Sequence, residues 1–145
     1  METNKTEKIN ILLWLDDIRD PYQGTWLESY APDYIGKEMN VIWVKSYDEF
    51  ISWVKKNGLP SMVAFDHDLG HDVEINLLKR GASKRKAREF KQQEKSGYDC
   101  AKWLVEYCMD KDIDFPDYVI QSANPVGKDN IIGLIDNFKK FRGQD

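Results

Sequence analysis

Residues 62–70, with the sequence MVAFDHDLG, constrain the fold of this chain more than any other stretch. A short apolar run that stops abruptly is typical of a buried β-strand, and here it predicts a strand over Met62–Phe65. Three ionisable residues, Asp66, His67 and Asp68, follow at once. Functional sites of open parallel sheets lie outside the carboxyl ends of the strands, so these side chains are candidates for such a site.

Two further stretches have the same design. Residues 9–17 (INILLWLDD) are apolar until they end in Asp16 and Asp17, and residues 117–122 (DYVIQS) end in a Gln and Ser122. Three strands that end at one edge of a sheet would bring four Asp, one His and one Ser together. The sequence therefore predicts a single acidic pocket at that edge.

Length and composition favour one soluble globular domain over residues 1–145. Hydrophobic residues make up 41% of the chain and charged residues 32%, which is ordinary for such a domain. No apolar run approaches the ~20 residues that a membrane span needs, and the polar start METNKTEKIN lacks the apolar centre of a signal peptide. Cys100 and Cys108 fall ~12 Å apart along one predicted helix, too far for a disulfide. We therefore expect free thiols and a cytoplasmic protein.

The remaining pattern alternates strands with helices, which predicts the α/β class with a mostly parallel sheet. Residues 20–40 contain two Pro and two Gly, so we expect an irregular crossover with at most a short helix near 27–35. The first helix after it shows a capping box, formed by Ser46 and Glu49. The other predicted elements are strands at 9–15, 41–44 and 118–120, and helices at 46–57, 97–110 and about 125–141.

Charge is spread unevenly along the chain. Residues 79–95 hold eight Lys or Arg and two Glu, a net charge of +6, although the whole chain carries −4. The surrounding segment, 72–95, has few apolar residues to bury, so we interpret it as a mobile basic insertion. A basic flap on an acidic body is typical of a protein that grips an anionic ligand beside a metal, and less typical of one that binds nucleic acid grooves.

The acidic pocket needs a compensating positive charge, because clustered carboxylates repel one another where water is excluded. Protonation would serve, but a divalent cation is favoured. Oxygen ligands suit Mg²⁺, Mn²⁺ or Ca²⁺ better than Zn²⁺. Asp16, Asp17 and Asp66 are the predicted ligands, with Asp68 as a fourth. The alternative is that the Asp pair merely ends a strand and caps a loop.

Two histidines and one helix start complete the set of candidate residues. His67 is a candidate for proton transfer or metal binding, although strand alternation could instead point it into the sheet. His71, just past Gly70, is a weaker candidate for the same two roles.

The sequence from Ser122 into the last helix is typical of an anion-binding helix N-terminus. Asn124 is a good N-cap and Pro is favoured at the first helical position. The free N–H groups of the first turn, including that of Gly127, then face an anion. The Ser122 hydroxyl could donate to a phosphate oxygen and Lys128 could add charge. The alternative is an ordinary capped helix start.

Together these residues resemble response-regulator receiver domains, which have an acidic pair after strand 1, an Asp at the end of strand 3 and a Ser/Thr-Ala pair after strand 4. The chain resembles more closely an offshoot, the cyclic-phosphate-processing receiver-like domain, over about residues 11–132. Its four motifs appear in order as L-W-L-D-D-I-R-D-P at 13–21, D-H-D-L-G at 66–70, S-G-Y-D at 96–99 and Q-S-A-N-P-V-G at 121–127.

The resemblance implies a receiver-like (flavodoxin-like) three-layer fold with a mostly parallel four-stranded sheet of order 2-1-3-4 and flanking helices. It also implies a metal-dependent phosphoesterase-like activity that uses Mg²⁺ or Mn²⁺, with Asp66, His67 and Ser122 as catalytic residues. The expected substrate is a phosphorylated or cyclic-phosphate nucleotide or an RNA end, with no membrane partner and no sequence-specific DNA binding.

Two other functions remain as alternatives. One is suggested by features shared with true receivers and the other by a departure from the resembled family. A phosphoacceptor receiver would take a phosphoryl group on Asp66, but the chain ends without the fifth strand and the phosphate-binding Lys of true receivers. A non-catalytic module that binds a nucleotide or a protein is the other alternative. It is favoured by Gln121, which stands where the resembled family usually has His.

Overall fold

The computed structural model describes residues 10–18, 20–22, 40–66, 68–69, 75, 77–93, 95–122 and 124–144, without the side chains of 90–93. Its sheet is built from four parallel strands in the order β2-β1-β3-β4. The strands are β1 (Ile11–Leu15), β2 (Asn40–Val44), β3 (Met62–Phe65) and β4 (Asp117–Ile120). The predicted α/β class and strand order are therefore confirmed.

Helices follow three of these strands in the chain. They are α1 (Tyr47–Asn57), α2 (Lys84–Gln93), α3 (Gly97–Lys111) and α4 (Pro125–Arg142). The chain passes from β2 to β3 through α1 and from β3 to β4 through α2 and α3. Both connections move in the same direction along the sheet, so right-handed crossovers place α1 and α3 on the same face.

The register of the sheet sets the carboxyl ends of three strands level. Trp14 of β1 pairs with Ala64 of β3, and Phe65 at the end of β3 pairs with Ile120 at the end of β4. The residues that follow these ends therefore leave the sheet in one row. This register positions the candidate site.

The larger core lies between one face of the sheet and α1, α3 and α4. Alternate strand residues such as Leu13 and Phe65 meet Phe50 of α1, and Leu104 of α3 and Ile131 of α4 belong to the same cluster. The ring of Phe65 contacts three other rings in this core, and its centroid lies 6.0 Å from that of Phe50. The buried residues of α4 recur every three or four positions, as Ile131, Ile135 and Phe138 do, which is the spacing of one helix face.

The opposite face of the sheet is buried as well. Leu12, Trp14, Met62 and Ala64 form a second apolar cluster, and each is at most 4% exposed. A strand buried on both faces needs apolar residues at successive positions, which explains the unbroken run in β1. The connection from β1 to β2, with the short helix predicted near 27–35, lies largely outside the described residues.

The capping box predicted at the start of α1 is only partly present. Ser46 caps α1, because its hydroxyl accepts from the N–H of Glu49. The Glu49 carboxylate accepts from the N–H of Lys45 and not from that of Ser46, so the predicted capping box is only half formed. Asp99 does close the box with Ser96 at the start of α3, where its carboxylate accepts from the N–H of Ser96 at 2.8 Å.

The strand and helix limits differ from the predicted ones by only a few residues. β1 begins at Ile11 rather than at residue 9, and Ile9 itself is outside the described residues. Within the basic insertion, α2 is helical and Ala87 is fully buried. The predicted mobility of this segment stays a prediction.

Both cysteines are free and buried. Burial raises the pKa of the Cys108 thiol to about 12 and that of Cys100 well above its usual value, with Asp99 and Asp48 adding to the second effect. The thiols therefore stay protonated at neutral pH and belong to the core. Among the helices that the structure describes, we find none with the length and apolar character to cross a membrane.

Candidate functional site

Three carboxylates meet at the carboxyl edge of the sheet. Asp16 and Asp17 follow β1 and Asp66 follows β3, and one oxygen of each lies within 4.8 Å of the others. Their exposed fractions are only 0%, 3% and 6%. The level strand ends explain this convergence, since parallel strands deliver their next residues to the same edge.

Asp16 is held by hydrogen bonds at four of its atoms. Its N–H donates to the carbonyl of Val44 at 3.1 Å, and its carbonyl accepts from the Trp43 indole Nε1 at 2.7 Å. Its carboxylate Oδ1 accepts from the N–H of Ile18 at 3.0 Å, and Oδ2 accepts from Gln121 Nε2 at 3.3 Å. The carboxylate therefore has a fixed place and a fixed orientation.

Gln121 connects two strands that are not neighbours. Its backbone N–H donates to the carbonyl of Phe65 on β3, at 2.8 Å. Its side-chain Nε2 donates to the carbonyl of Leu15 on β1, at 2.9 Å, in addition to the contact with Asp16. Gln121 is fully buried, and its amide spans the carboxyl end of β3.

The donor set of this edge fits a hard divalent cation. Three carboxylates buried side by side repel one another unless a positive charge or protons compensate them. Mg²⁺ and Ca²⁺ take oxygen ligands at about 2.0–2.6 Å, so two ligands of one ion lie within roughly 3–5 Å of each other. The spacing of Asp16, Asp17 and Asp66 agrees with that range, and these three could hold such an ion.

Asp68 stands apart from this arrangement. It was predicted as a fourth ligand, but it is only half-buried and does not belong to the group of three that the structure brings together. It follows the end of β3 by three residues, so the level register that brings Asp16 and Asp66 together does not extend to it. His67 and His71, the candidates for proton transfer, lie outside the described residues.

The start of α4 forms the second part of the site. Asn124 caps the helix, because its Oδ1 accepts from the N–H of Gly127 at 3.0 Å. The Ser122 hydroxyl oxygen accepts from the N–H of Asn124 at 3.0 Å, and Ser122 is half-buried. The Gly127 N–H, predicted to face an anion, thus donates to the cap in this arrangement.

One donor of the first turn remains for an anion. Pro125 has no N–H, and the N–H of Lys128 donates to the carbonyl of Asn124. In the part of the chain that the structure describes, this leaves the N–H of Val126 and the Ser122 hydroxyl hydrogen as donors at the end of β4. The first turn of α4 carries no acidic residue, so the positive end of its dipole is not opposed there.

The sequence patterns missed the two side chains that hold Asp16. Trp43 was interpreted as part of a strand, and Gln121 only as a departure from a family pattern. A signal for Gln121 was available, since a Gln directly after a buried apolar strand must satisfy its amide once it is buried. No pattern in the sequence indicates that Trp43 reaches the Asp16 carbonyl, because that contact joins two strands through an indole.

The chain was also compared with known proteins. No curated protein and no solved structure matches it. A family model, the cyclic-phosphate processing receiver domain, matches residues 11–137. That match covers nearly the whole chain and includes every strand of the sheet, α4 through Asn137, and both parts of the candidate site. The chain therefore belongs to the family of cyclic-phosphate processing receiver domains.

Proposed function

We propose that this chain is a metal-dependent phosphoesterase-like domain that acts on cyclic phosphates or phosphorylated nucleotides. The observation that carries the proposal is the buried group of Asp16, Asp17 and Asp66, within 4.8 Å of one another at the edge where α4 begins. Cation ligands and anion donors that face the same edge suit a substrate with a phosphate.

In this proposal the three carboxylates hold Mg²⁺ or Mn²⁺, and a cation bound there would polarise a phosphoryl oxygen and make a water more acidic. The Ser122 hydroxyl and the Val126 N–H donate to the remaining phosphate oxygens, and the N-terminus of α4 adds its dipole. Lys128 is exposed in the first turn of α4 and adds a positive charge.

His67 is the proposed proton carrier. A water oxygen attacks phosphorus and gives up its proton to the imidazole. The P–O bond of the cyclic ester breaks, and the departing ester oxygen takes the proton from the imidazolium. The product is an open phosphate monoester, and His67 returns to its neutral form.

The expected substrate is a cyclic-phosphate nucleotide or a phosphorylated RNA end. The basic insertion supports this choice, since the net charge of +6 on its residues 79–95 attracts polyanions. The two buried free thiols fit a reducing compartment, and we propose a cytoplasmic location for the domain.

A second candidate function is phosphoacceptance at Asp66. The position of this carboxylate at the end of β3, 6% exposed and beside two further Asp, favours it. In that case a phosphoryl group would be transferred to the Asp66 carboxylate and no cyclic ester would be opened.

One experiment separates these functions. The protein is incubated with Mn²⁺ and a panel of 2′,3′- and 3′,5′-cyclic nucleotides, and ring opening is followed by phosphorus NMR. We expect ring opening by the native chain, loss in Asp66→Asn, and no change in the matched exposed variant Asp110→Asn. His67→Ala should lower turnover by about 10²–10⁴.

Acetyl phosphate is used in a parallel reaction. A base-labile adduct mapped to Asp66, without ring opening, would replace the phosphoesterase by a phosphoacceptor. If neither ring opening nor an adduct is seen, a non-catalytic binding module becomes the better description.

A further inference from the structure

We propose that Gln121 is a positioning residue for the metal site: its side-chain amide holds the Asp16 carboxylate in the orientation that lets it share one cation with Asp17 and Asp66. This inference rests on the cation binding of the proposed function, but not on turnover. It gives a role to the residue that differs from the usual His of the family pattern.

The geometry places the Gln121 amide between two strands that are not neighbours. β4 is separated from β1 by β3, so the two strands lie about 9–10 Å apart at ~4.8 Å per strand. Gln121 crosses this gap over the carboxyl end of β3 and reaches both the Leu15 carbonyl and Asp16 Oδ2. Its own backbone is fixed by the bond from its N–H to Phe65.

The two oxygens of Asp16 are held from different directions. Oδ1 accepts from Ile18, two residues along the same chain, which alone would let the carboxylate swing about the local turn. Oδ2 accepts from Gln121 on a distant strand, and the second bond stops that rotation. A carboxylate oxygen has two lone pairs, so an oxygen that accepts a hydrogen bond can also bind a cation.

An amide is the suitable donor for this position. It orients the carboxylate without carrying a positive charge, so it does not compete with a cation for Asp16. A Lys or Arg at the same place would neutralise the carboxylate, and an aliphatic residue would withdraw the donor from two buried oxygens. Partners of metal ligands act in this way in other proteins, and their loss typically weakens metal binding by about 10–100-fold.

The test measures Mn²⁺ affinity by calorimetry without any substrate. Gln121→Met keeps the length of the side chain but removes the donor, and we expect Mn²⁺ to bind about 10–100-fold more weakly. Gln121→Asn keeps an amide one methylene too short and should weaken binding in the same direction. Ile131→Val, a core substitution in α4, is the control that loosens packing and leaves the affinity unchanged.

A double-mutant cycle separates positioning from a general structural role. If Gln121 acts through Asp16, adding Gln121→Met to Asp16→Asn should change the affinity by less than about twofold, because the carboxylate to be oriented is already gone. Adding Gln121→Met to Asp17→Asn should keep its full effect. Equal losses on both backgrounds would overturn the positioning role and indicate a general loosening of the edge.

The remaining outcomes distinguish this inference from the proposed function. Native affinity in Gln121→Met overturns the inference alone. Mn²⁺ binding by the native chain that is weakened by Gln121→Met, without ring opening of any cyclic phosphate, supports the inference and overturns the phosphoesterase. A native chain that binds no Mn²⁺ overturns both.

Discussion

The carboxyl edge of the sheet and helix α2 both carry several charged residues, but the charges are buried at the edge and exposed on α2. At the edge, the Asp16 carboxylate is fully buried and each of its oxygens accepts a hydrogen bond. In α2, the Arg85–Glu89 ion pair is 3.6 Å long, and the two side chains are 90% and 59% exposed. The edge thus holds its charges in place, whereas α2 leaves them in water.

The difference shows where charge costs stability and where it does not. A buried carboxylate loses hydration, and like charges beside it add repulsion, so the edge is an expensive arrangement that stability alone would not select. Exposed ion pairs cost and contribute little. In the proposed function a bound cation offsets this cost at the edge, whereas the exposed charges of α2 need no such partner.

Phe65→Ala is the substitution with the largest expected effect, because it removes the packing beneath Asp66. Phe65 is fully buried, and its ring lies 6.0 Å from that of Phe50 and 6.4 Å from that of Phe115. We expect a loss of about 3–5 kcal/mol in the free energy of unfolding by urea. Phe141→Ala, at a side chain 78% exposed, is the control, with an expected change below about 0.5 kcal/mol. Similar losses in both variants would contradict the buried position of Phe65.

Divalent metal should give the next largest change in stability, and this change should depend on the carboxylates at the edge. A cation that binds the folded state stabilises it by about 2.7 kcal/mol at a hundredfold excess over its Kd. Mg²⁺ or Mn²⁺ should therefore raise the Tm of the native chain, measured against EDTA. Asp66→Asn should abolish the rise and Asp110→Asn, at an exposed position of α3, should keep it. Identical melting curves with millimolar metal and with EDTA would remove the metal site.

Some of the features behind these predictions could be predicted from the sequence, and others could not. β3 was predicted with its correct limits because an apolar run between a Pro-Ser turn and three ionisable residues has few alternatives. The sequence also predicted that Asp16 and Asp66 lie together. Alternating strands and helices indicate a parallel sheet, and the carboxyl ends of neighbouring parallel strands meet at one edge. The reach of Gln121 to Asp16 could not be predicted, because it joins two non-adjacent strands and depends on register and side-chain direction. Asp68 follows the end of β3 by three residues, so the level register of the strand ends does not determine its place.

Removing a helix cap should change the free energy of unfolding by an intermediate amount, and by more at α4 than at α2. Asn124 caps α4 beside the site, and its Oδ1 accepts from Gly127. Ser83 does the same for α2, where its hydroxyl accepts from the N–H of Lys86 at 3.2 Å. We expect Asn124→Ala to lower the free energy of unfolding by about 1 kcal/mol.

Ser83→Ala should lower the free energy of unfolding by only a few tenths of a kcal/mol, because α2 contributes Ala87 to the buried residues whereas α4 contributes Ile131, Ile135 and Phe138. Among the α2 side chains that the structure describes, Ala87 alone is buried, so fraying of the first turn of α2 exposes little apolar surface. Urea unfolding of the two variants provides the comparison. A larger loss in Ser83→Ala would mean that α2 is a packed part of the fold.

The smallest expected effect is that of Arg85→Ala in α2. Exposed ion pairs four residues apart on a helix contribute about 0.3–0.5 kcal/mol and are screened by salt. The free energy of unfolding should therefore change by less than about 0.5 kcal/mol, and the change should shrink further when NaCl is raised from 0.05 M to 1 M, where the Debye length is only about 3 Å. Glu89→Ala is the matched partner variant, and since it removes a negative charge it should bind a polyanion such as heparin more strongly, whereas Arg85→Ala binds it more weakly. A loss above 1 kcal/mol that persists in high salt would show that Arg85 is tied into the fold as firmly as Asp16, and the contrast between the two charged regions would no longer hold.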